Sequence, residues 1–80
     1  MASRIELHGD SDTLDYYTRH LQIEAVFNRG LKLAKRRPAP DHLSLDVKGD
    51  ATRLKSFVRW CYNGPKLGRA DRVTVDWRKA

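Results

Sequence analysis

The chain lacks the features that mark several classes of protein. It has a single cysteine, Cys61, so an internal disulfide is excluded. It has no run near the roughly 20 apolar residues that a membrane-spanning helix needs, and no apolar run of the kind that marks a secretory leader. We therefore expect no membrane association, and one unpaired thiol favours a reducing, cytoplasmic setting. Because Cys61 falls in a helical pattern, we expect a small buried side chain there rather than a nucleophile.

Acidic residues are scarce in the C-terminal part of the chain. Residues 51–80 hold 8 Lys and Arg against 2 Asp and Glu, whereas residues 1–30 hold 3 against 5. The net charge of +6 is therefore uneven, which favours anionic partners such as phosphate groups, nucleic acid or acidic proteins. An ordinary solvated surface explains the same charge equally well. A chain of 80 residues predicts a single domain spanning residues 1–80, which we expect to be a monomer.

The histidines give no sign of a metal site. His8, His20 and His42 do not have the spacing of metal ligands relative to one another. We therefore expect neither a metal nor a cofactor.

Hydrophobic periodicity predicts six elements in the order β-α-β-β-α-β. Alternating apolar and polar residues predict strands, and apolar residues at intervals of three and four predict helices. The predicted strands are Arg4–His8, Leu31–Arg36, Leu43–Lys48 and Arg72–Trp77. The predicted helices are Thr13–Asn28, capped by Ser11 or Asp12 and stopped by Gly30, and a second one capped by Asp50 or Thr52 and closed by Asn63-Gly64-Pro65.

Two stretches of the sequence need a closer reading, one because it fits either a helix or a hairpin and one because its prolines end a strand. Residues 23–27 and 31–35 could instead form a hairpin that turns at residues 28–30. We favour the helix, because the run is well capped and Glu24 and Ala25 are weak strand formers. Residues 37–42 should form a turn, because Pro38 and Pro40 do not fit a central strand.

This order of elements predicts an α+β, ferredoxin-like βαββαβ sandwich. Two crossovers produce a four-stranded antiparallel sheet with both helices on one face. The other face would be open to solvent and carries only polar side chains, namely Glu6, His8, Ser44, Asp46, Lys48, Arg72, Thr74 and Asp76. Since none of them is Phe, Tyr or Trp, stacking of RNA bases on this face is disfavoured.

Several short motifs together carry a resemblance to a known family. They are Gly49-Asp50, the core Phe57 to Trp60 of the second helix, Gly64-Pro65, Val73-x-Val75-x-Trp77, and the shorter matches Tyr17-Thr18-Arg19, Gly30-Leu31 and Pro40-Asp41. In these motifs the chain resembles the acylphosphatases, small βαββαβ enzymes that hydrolyse carboxyl phosphates. The resemblance implies the same fold and is strongest from Gly49 onward.

The chain departs from that family at the residues that bind phosphate and orient water in its members. Its members have a loop Gly-x-Val-Gln-Gly-Val-Gly-Phe-Arg, whose backbone N–H groups cradle the phosphate at a helix N-terminus. Here the loop is about two residues shorter, has no internal glycine, and places Asp15 at the position of the family's phosphate-binding Arg. The family's water-orienting Asn is matched by Arg37, which cannot accept a proton from water.

Three functional hypotheses follow. The first is an acylphosphatase-like domain without efficient activity that acts as a basic module, binding a phosphate-bearing small molecule or an acidic partner. The second is a divergent acylphosphatase that hydrolyses acyl phosphates. The third, less favoured, is an RNA-binding module of the same topology. The side chains that we predict to bind an anion are Arg19, Lys35, Arg36 and Arg37.

Overall fold

A computed structural model of the protein describes residues 1–63 and 70–78. Its elements follow the predicted order, with a π-helical segment attached to the first helix. They are β1 (Ala2–His8), α1 (Ser11–Leu21), the π-helical segment (Gln22–Phe27), β2 (Lys32–Ala39), β3 (His42–Lys48), α2 (Ala51–Asn63) and β4 (Arg72–Arg78). The predicted Gly64-Pro65 stop lies outside the described residues.

The four strands form one antiparallel sheet in the order β2-β3-β1-β4. Along β1 every second residue is buried, so one face of the sheet is covered and the other is open. The covered face contributes Ile5 and Leu45, which belong to the same buried cluster as Leu14 of α1 and Phe57 of α2. The predicted ferredoxin-like βαββαβ fold is therefore confirmed.

Tyr17 connects both helices to the residue that leads into β4. Its ring is fully buried, and its hydroxyl donates to the carbonyl oxygen of Cys61 at 2.7 Å. The same hydroxyl accepts from the backbone N–H of Ala70 at 3.1 Å. Trp60 packs edge-on against Tyr17 and stacks on Phe57. Because buried polar groups are costly without partners, these bonds fix how the elements sit together.

The first helix begins earlier than the sequence pattern predicted. Its N-cap is Asp10, not Ser11 or Asp12, and the Asp10 carboxylate accepts from the Thr13 backbone N–H. The helical reading of residues 23–27 is confirmed and the hairpin alternative is wrong, because the Asn28 N–H donates five residues back to Ile23. Gly30 ends the run at a φ of 65°, the left-handed conformation that glycine adopts most easily.

The second strand is longer than expected. We predicted its end at Arg36 and a turn over residues 37–42, but β2 continues to Ala39 and only Pro40 and Asp41 separate it from β3. Pro38 is tolerated because β2 is an edge strand and its pairing with β3 shifts register between Arg36 and Ala39. The extension brings Arg37 alongside α1.

Some apolar side chains remain outside the core. Trp77 pairs with Ser3 on the helix-facing side of the sheet, yet it is 40% exposed because β4 is the other edge strand. Ile23 and Phe27 of the π-helical segment are also exposed. Cys61, in contrast, is fully buried as expected, and burial raises the pKa of its thiol to about 12. No helix among residues 1–63 and 70–78 is long and apolar enough to span a membrane.

Candidate functional site

The candidate site lies where β1 ends and α1 begins, beside the last residues of β2. Only Gly9 and Asp10 separate β1 from α1. The Gly9 N–H donates to the carbonyl oxygen of Asp41 at 3.2 Å, which ties this connection to the turn between β2 and β3. The start of α1 and the turn therefore form one end of the sheet.

A carboxylate of the chain itself occupies the N-terminus of α1. One oxygen of Asp10 accepts from the Thr13 backbone N–H at 2.9 Å, and the other accepts from the Thr13 hydroxyl at 2.9 Å. These hydrogen bonds lower the pKa of Asp10 below its ordinary value. Since the N-terminus of a helix attracts anions, this carboxylate takes a position that would otherwise favour a phosphate.

The two positions that the resemblance singled out lie in contact. The Arg37 guanidinium donates to the Asp15 carboxylate at 2.5 Å, with side-chain exposures of 28% and 50%. Its second terminal nitrogen donates to the carbonyl oxygens of Ser11 at 3.1 Å and Pro40 at 3.0 Å, and lies 3.4 Å from the Ser11 hydroxyl. Arg37 thus binds the start of α1 and the β2–β3 turn to each other.

This arrangement differs in charge from the one that the resemblance implies. The motif match predicts Asp15 at the family's arginine position and Arg37 at its neutral asparagine position. Both terminal nitrogens of Arg37 already donate to groups of the chain, so an incoming anion must compete with Asp15 for them. The sequence analysis singled out both positions but did not predict that their side chains form an ion pair. Their opposite charges, at two positions expected to face one site, could have indicated it.

Three of the four predicted anion-binding residues lie together. Lys35, Arg36 and Arg37, with Thr18 and Leu43, line a hollow of about 220 Å³ at the edge of the sheet. Among the described residues neither Lys35 nor Arg36 has an ion-pair partner within 4.0 Å. Lys35 pairs with Leu45 and Arg36 with Ser44, so the two side chains leave the strand on opposite faces of the sheet.

Arg19 does not join that group. It lines a separate hollow with Asp12, Asp15 and Tyr16, and its guanidinium lies 5.7 Å from the centre of the Tyr16 ring. The two carboxylates beside it make this hollow a poor place for a phosphate.

A second polar cluster lies on the open face of the sheet and was not foreseen. Ser44 donates to one oxygen of Glu6 at 3.1 Å, and the Nε2 atom of His42 contacts the other. The rings of His8 and His42 stack at 4.3 Å. Strand register brings them together, since Glu6 pairs with Ser44 and His8 with His42. Because Ser44 and His42 each contact Glu6, the cluster lacks the serine–histidine contact that activates a nucleophile.

The described residues hold no assembled metal site. Within residues 1–63 and 70–78, no group of three His, Cys, Asp or Glu side chains has a geometry that could hold a metal ion.

Sequence comparison finds acylphosphatases. The chain is 38% identical over 42 residues to the acylphosphatase of Anaeromyxobacter dehalogenans, which covers 51% of this chain and 45% of that protein. It is 45% identical over 29 residues to the acylphosphatase of a Nocardioides species, covering 36% of this chain and 29% of that protein. The chain thus spans less than half the length of the curated relatives it matches. No family model matches the chain.

Structural comparison agrees with the sequence comparison. The crystal structure of an acylphosphatase from Bacillus subtilis superposes with a TM-score of 0.77, over 94% of this chain and 81% of that one. Sequence identity in this superposition is 20%, so the likeness is one of fold. Relatives and fold together confirm the resemblance that the motifs indicated.

Proposed function

We propose that this acylphosphatase-like domain lacks efficient acylphosphatase activity and acts as a small basic module for a phosphate-bearing small molecule or an acidic partner. The observation that carries the proposal is the ion pair between Arg37 and Asp15. It joins the two positions at which the resemblance would place the phosphate-binding and water-orienting side chains. Neither side chain is free for that chemistry as long as the pair persists.

Electrostatics at the start of α1 disfavour an acyl phosphate. Asp10 already accepts a hydrogen bond from the backbone N–H of Thr13, and Asp12 and Asp15 line the adjoining hollow. Two unit charges 4 Å apart interact by about 4 kcal/mol at an effective dielectric constant of 20. Repulsion of this order from one carboxylate would cancel the gain from one well-formed arginine contact.

The position matched by Arg37 also lacks the asparagine that would orient the attacking water. Hydrolysis of an acyl phosphate requires a water molecule that is held and oriented for attack on the phosphorus. An asparagine can accept a hydrogen bond from that water through its side-chain oxygen, whereas the guanidinium of Arg37 only donates. A domain with this substitution keeps the scaffold of the enzyme without its positioned nucleophile.

Cations near the same end of the sheet support the binding part of the proposal. Lys35 and Arg36 line the hollow beside Arg37, and neither has an ion-pair partner among the described residues. Lys35 pairs with Leu45 and therefore faces the helix side of the sheet, where an unneutralised cation at this hollow of about 220 Å³ suits a phosphate group or an acidic side chain.

A divergent acylphosphatase is the second candidate. The curated relatives carry that name, and Arg36, Arg37 or Arg19 could hold a phosphate in place of the missing loop. An RNA-binding module is the third. It is disfavoured because the open face carries no Phe, Tyr or Trp among the residues described, and a steep fall of RNA affinity with salt would be needed to support it.

The test is hydrolysis of benzoyl phosphate. We would compare the wild type, Arg37→Ala, the double variant Asp15→Arg/Arg37→Asn, and Arg59→Ala as a control for loss of an exposed arginine on α2. The wild type should not exceed spontaneous hydrolysis, and Arg37→Ala and Arg59→Ala should match it. The double variant, which restores the family residues at both positions, should gain a measurable rate.

The opposite result identifies the second candidate. A clear wild-type rate that is lost in Arg37→Ala and kept in Arg59→Ala would establish a rebuilt catalytic site and overturn the proposal. Circular dichroism of each variant would verify that the fold is intact.

A further inference from the structure

The open face of the sheet carries a row of basic residues at the end opposite to the candidate site. Lys32 on β2 pairs with Lys48 on β3, Lys48 pairs with Ala2 on β1, and Ala2 pairs with Arg78 on β4. The row therefore crosses all four strands. Neighbouring strands lie about 4.8 Å apart, so the three cations fall within about 15 Å.

The row borders a hollow rather than a flat surface. Ala2 and Ala34, with the three basic residues and Asp46, line a cavity of about 310 Å³. The two alanines have the smallest side chains on these strands, so the surface is depressed between the longer ones. The aliphatic stems of Lys32 and Lys48 can form apolar walls while their ammonium groups remain at the rim.

The two lysines of this row are not neutralised by the residues that the structure describes. Lys32 and Lys48 stand directly opposite each other, an arrangement that destabilises a sheet unless an anion lies between them. Neither has an ion-pair partner among the residues described. The lining carboxylate, Asp46, is bound to Arg4 at 3.0 Å, and Arg78 has only an exposed contact of 3.5 Å with Asp76.

We propose that this hollow, which we call the basic hollow (Ala2, Lys32, Ala34, Lys48 and Arg78), is a second anion site that takes a small phosphorylated molecule. Its size limits the ligand to about that of a mononucleotide. Its cations suit a phosphate, which Arg78 can bind through two nitrogens. The alanine floor and lysine stems suit an apolar body attached to that phosphate.

This site is distinct from the hollow beside Arg37 and does not depend on whether the domain hydrolyses acyl phosphates. Lys32 and Lys35 lie on the same strand, but in register they pair with Lys48 and Leu45, which lie on opposite faces of the sheet. A ligand in the basic hollow therefore leaves Lys35 and Arg37 uncovered.

The experiment is a titration followed by ¹H–¹⁵N NMR for the amide groups and ¹H–¹³C NMR for the methyl groups, with pyrophosphate and then adenosine monophosphate as probes. The amide signals of Ala2, Lys32 and Lys48 should shift at lower concentration than those of Lys35 and Arg37. Adenosine monophosphate should also shift the methyl group of Ala34, because its apolar part would rest on the floor of the hollow.

Matched variants locate the site. Lys48→Gln and Lys32→Gln should each weaken pyrophosphate binding about fivefold, the effect of removing one partly solvated charge contact. Lys55→Gln, which removes an exposed lysine on α2, should leave the affinity unchanged, and Lys48→Arg should preserve it. In the absence of ligand, the free energy of unfolding of Lys48→Gln should be no lower than that of the wild type, because the substitution removes the repulsion between Lys48 and Lys32.

Three results would overturn the proposal. One is an unchanged affinity in both Lys48→Gln and Lys32→Gln. Another is a set of shifts confined to residues 35–37, which would leave the proposed function standing and remove the second site. The third is tighter binding per phosphate of a thymidine octanucleotide, with shifts over the whole open face, which would identify a nucleic-acid surface instead.

Discussion

If Arg37 is an internal partner of Asp15 and not a free ligand for substrate, the two residues must be energetically coupled. We would measure this coupling with a double-mutant cycle of Arg37→Met, Asp15→Asn and the double variant. Methionine keeps much of the arginine stem without its charge, and asparagine keeps the shape of aspartate. The cycle therefore isolates the ionic contact from the packing around it.

The structure sets the expected size of the coupling. The contact joins one guanidinium nitrogen to one carboxylate oxygen, and the side chains are 28% and 50% exposed. Exposed pairs contribute about 0.2–1 kcal/mol, so partial burial predicts a coupling near the upper end, about 1 kcal/mol. Arg37→Met should destabilise by about 2 kcal/mol, because it also removes the bonds to the Ser11 and Pro40 carbonyls.

Urea denaturation at low salt and in 1 M sodium chloride is the assay. High salt shortens the screening length to about 3 Å, and the coupling should then fall by roughly half or more. A coupling below about 0.3 kcal/mol at low salt would refute the reasoning. It would mean that Arg37 moves freely in solution and is available to an anion.

Three further predictions concern stability. Tyr17→Phe should destabilise by about 2 kcal/mol in urea denaturation, because the buried backbone groups of Cys61 and Ala70 lose a partner; Tyr62→Phe, with a half-exposed ring, should change little, and an equal effect would contradict the role of the hydroxyl. Because the pKa of Asp10 is lowered in the folded state, this carboxylate stabilises the fold at pH values above its ordinary pKa of 3.8. That stabilisation is lost as the pH falls through the folded-state pKa. Urea midpoints of wild type and Asp10→Asn should therefore converge below pH 4, and a constant gap would exclude the effect. The pKa of Cys61 is raised from 9.0 to about 12, so the advantage of wild type over Cys61→Ala should shrink as the pH rises above 9, and thiol labelling at pH 8 that outpaces global unfolding would be evidence against burial.

Elements and faces could be predicted from the sequence because their signals are local and repeated. The alternation of Leu43, Leu45 and Val47 predicted β3 and its covered face, and the spacing of Leu54, Phe57, Val58 and Cys61 predicted the buried side of α2. Each pattern repeats the same preference several times, so one ambiguous residue does not obscure it.

Errors arose where tertiary context overrides a local rule. Pro38 indicated a turn, but an edge strand with a register shift accepts proline because it needs no N–H donor there. The contact of Arg37 with Asp15 joins residues 22 positions apart, and it exists only because β2 extends past its predicted end. The Glu6 cluster likewise depends on strand register, which no local pattern specifies.

The composition of β2 also affects how copies of the domain meet. An edge strand presents unpaired backbone groups that could recruit the edge of another sheet. This strand carries Lys32, Lys35, Arg36 and Arg37 within eight residues and interrupts its N–H groups with Pro38. Two copies approaching edge to edge along β2 would bring eight basic side chains together, and the proline would leave a gap in the shared ladder. The residues that we propose to bind anions would thus also oppose self-association through this edge.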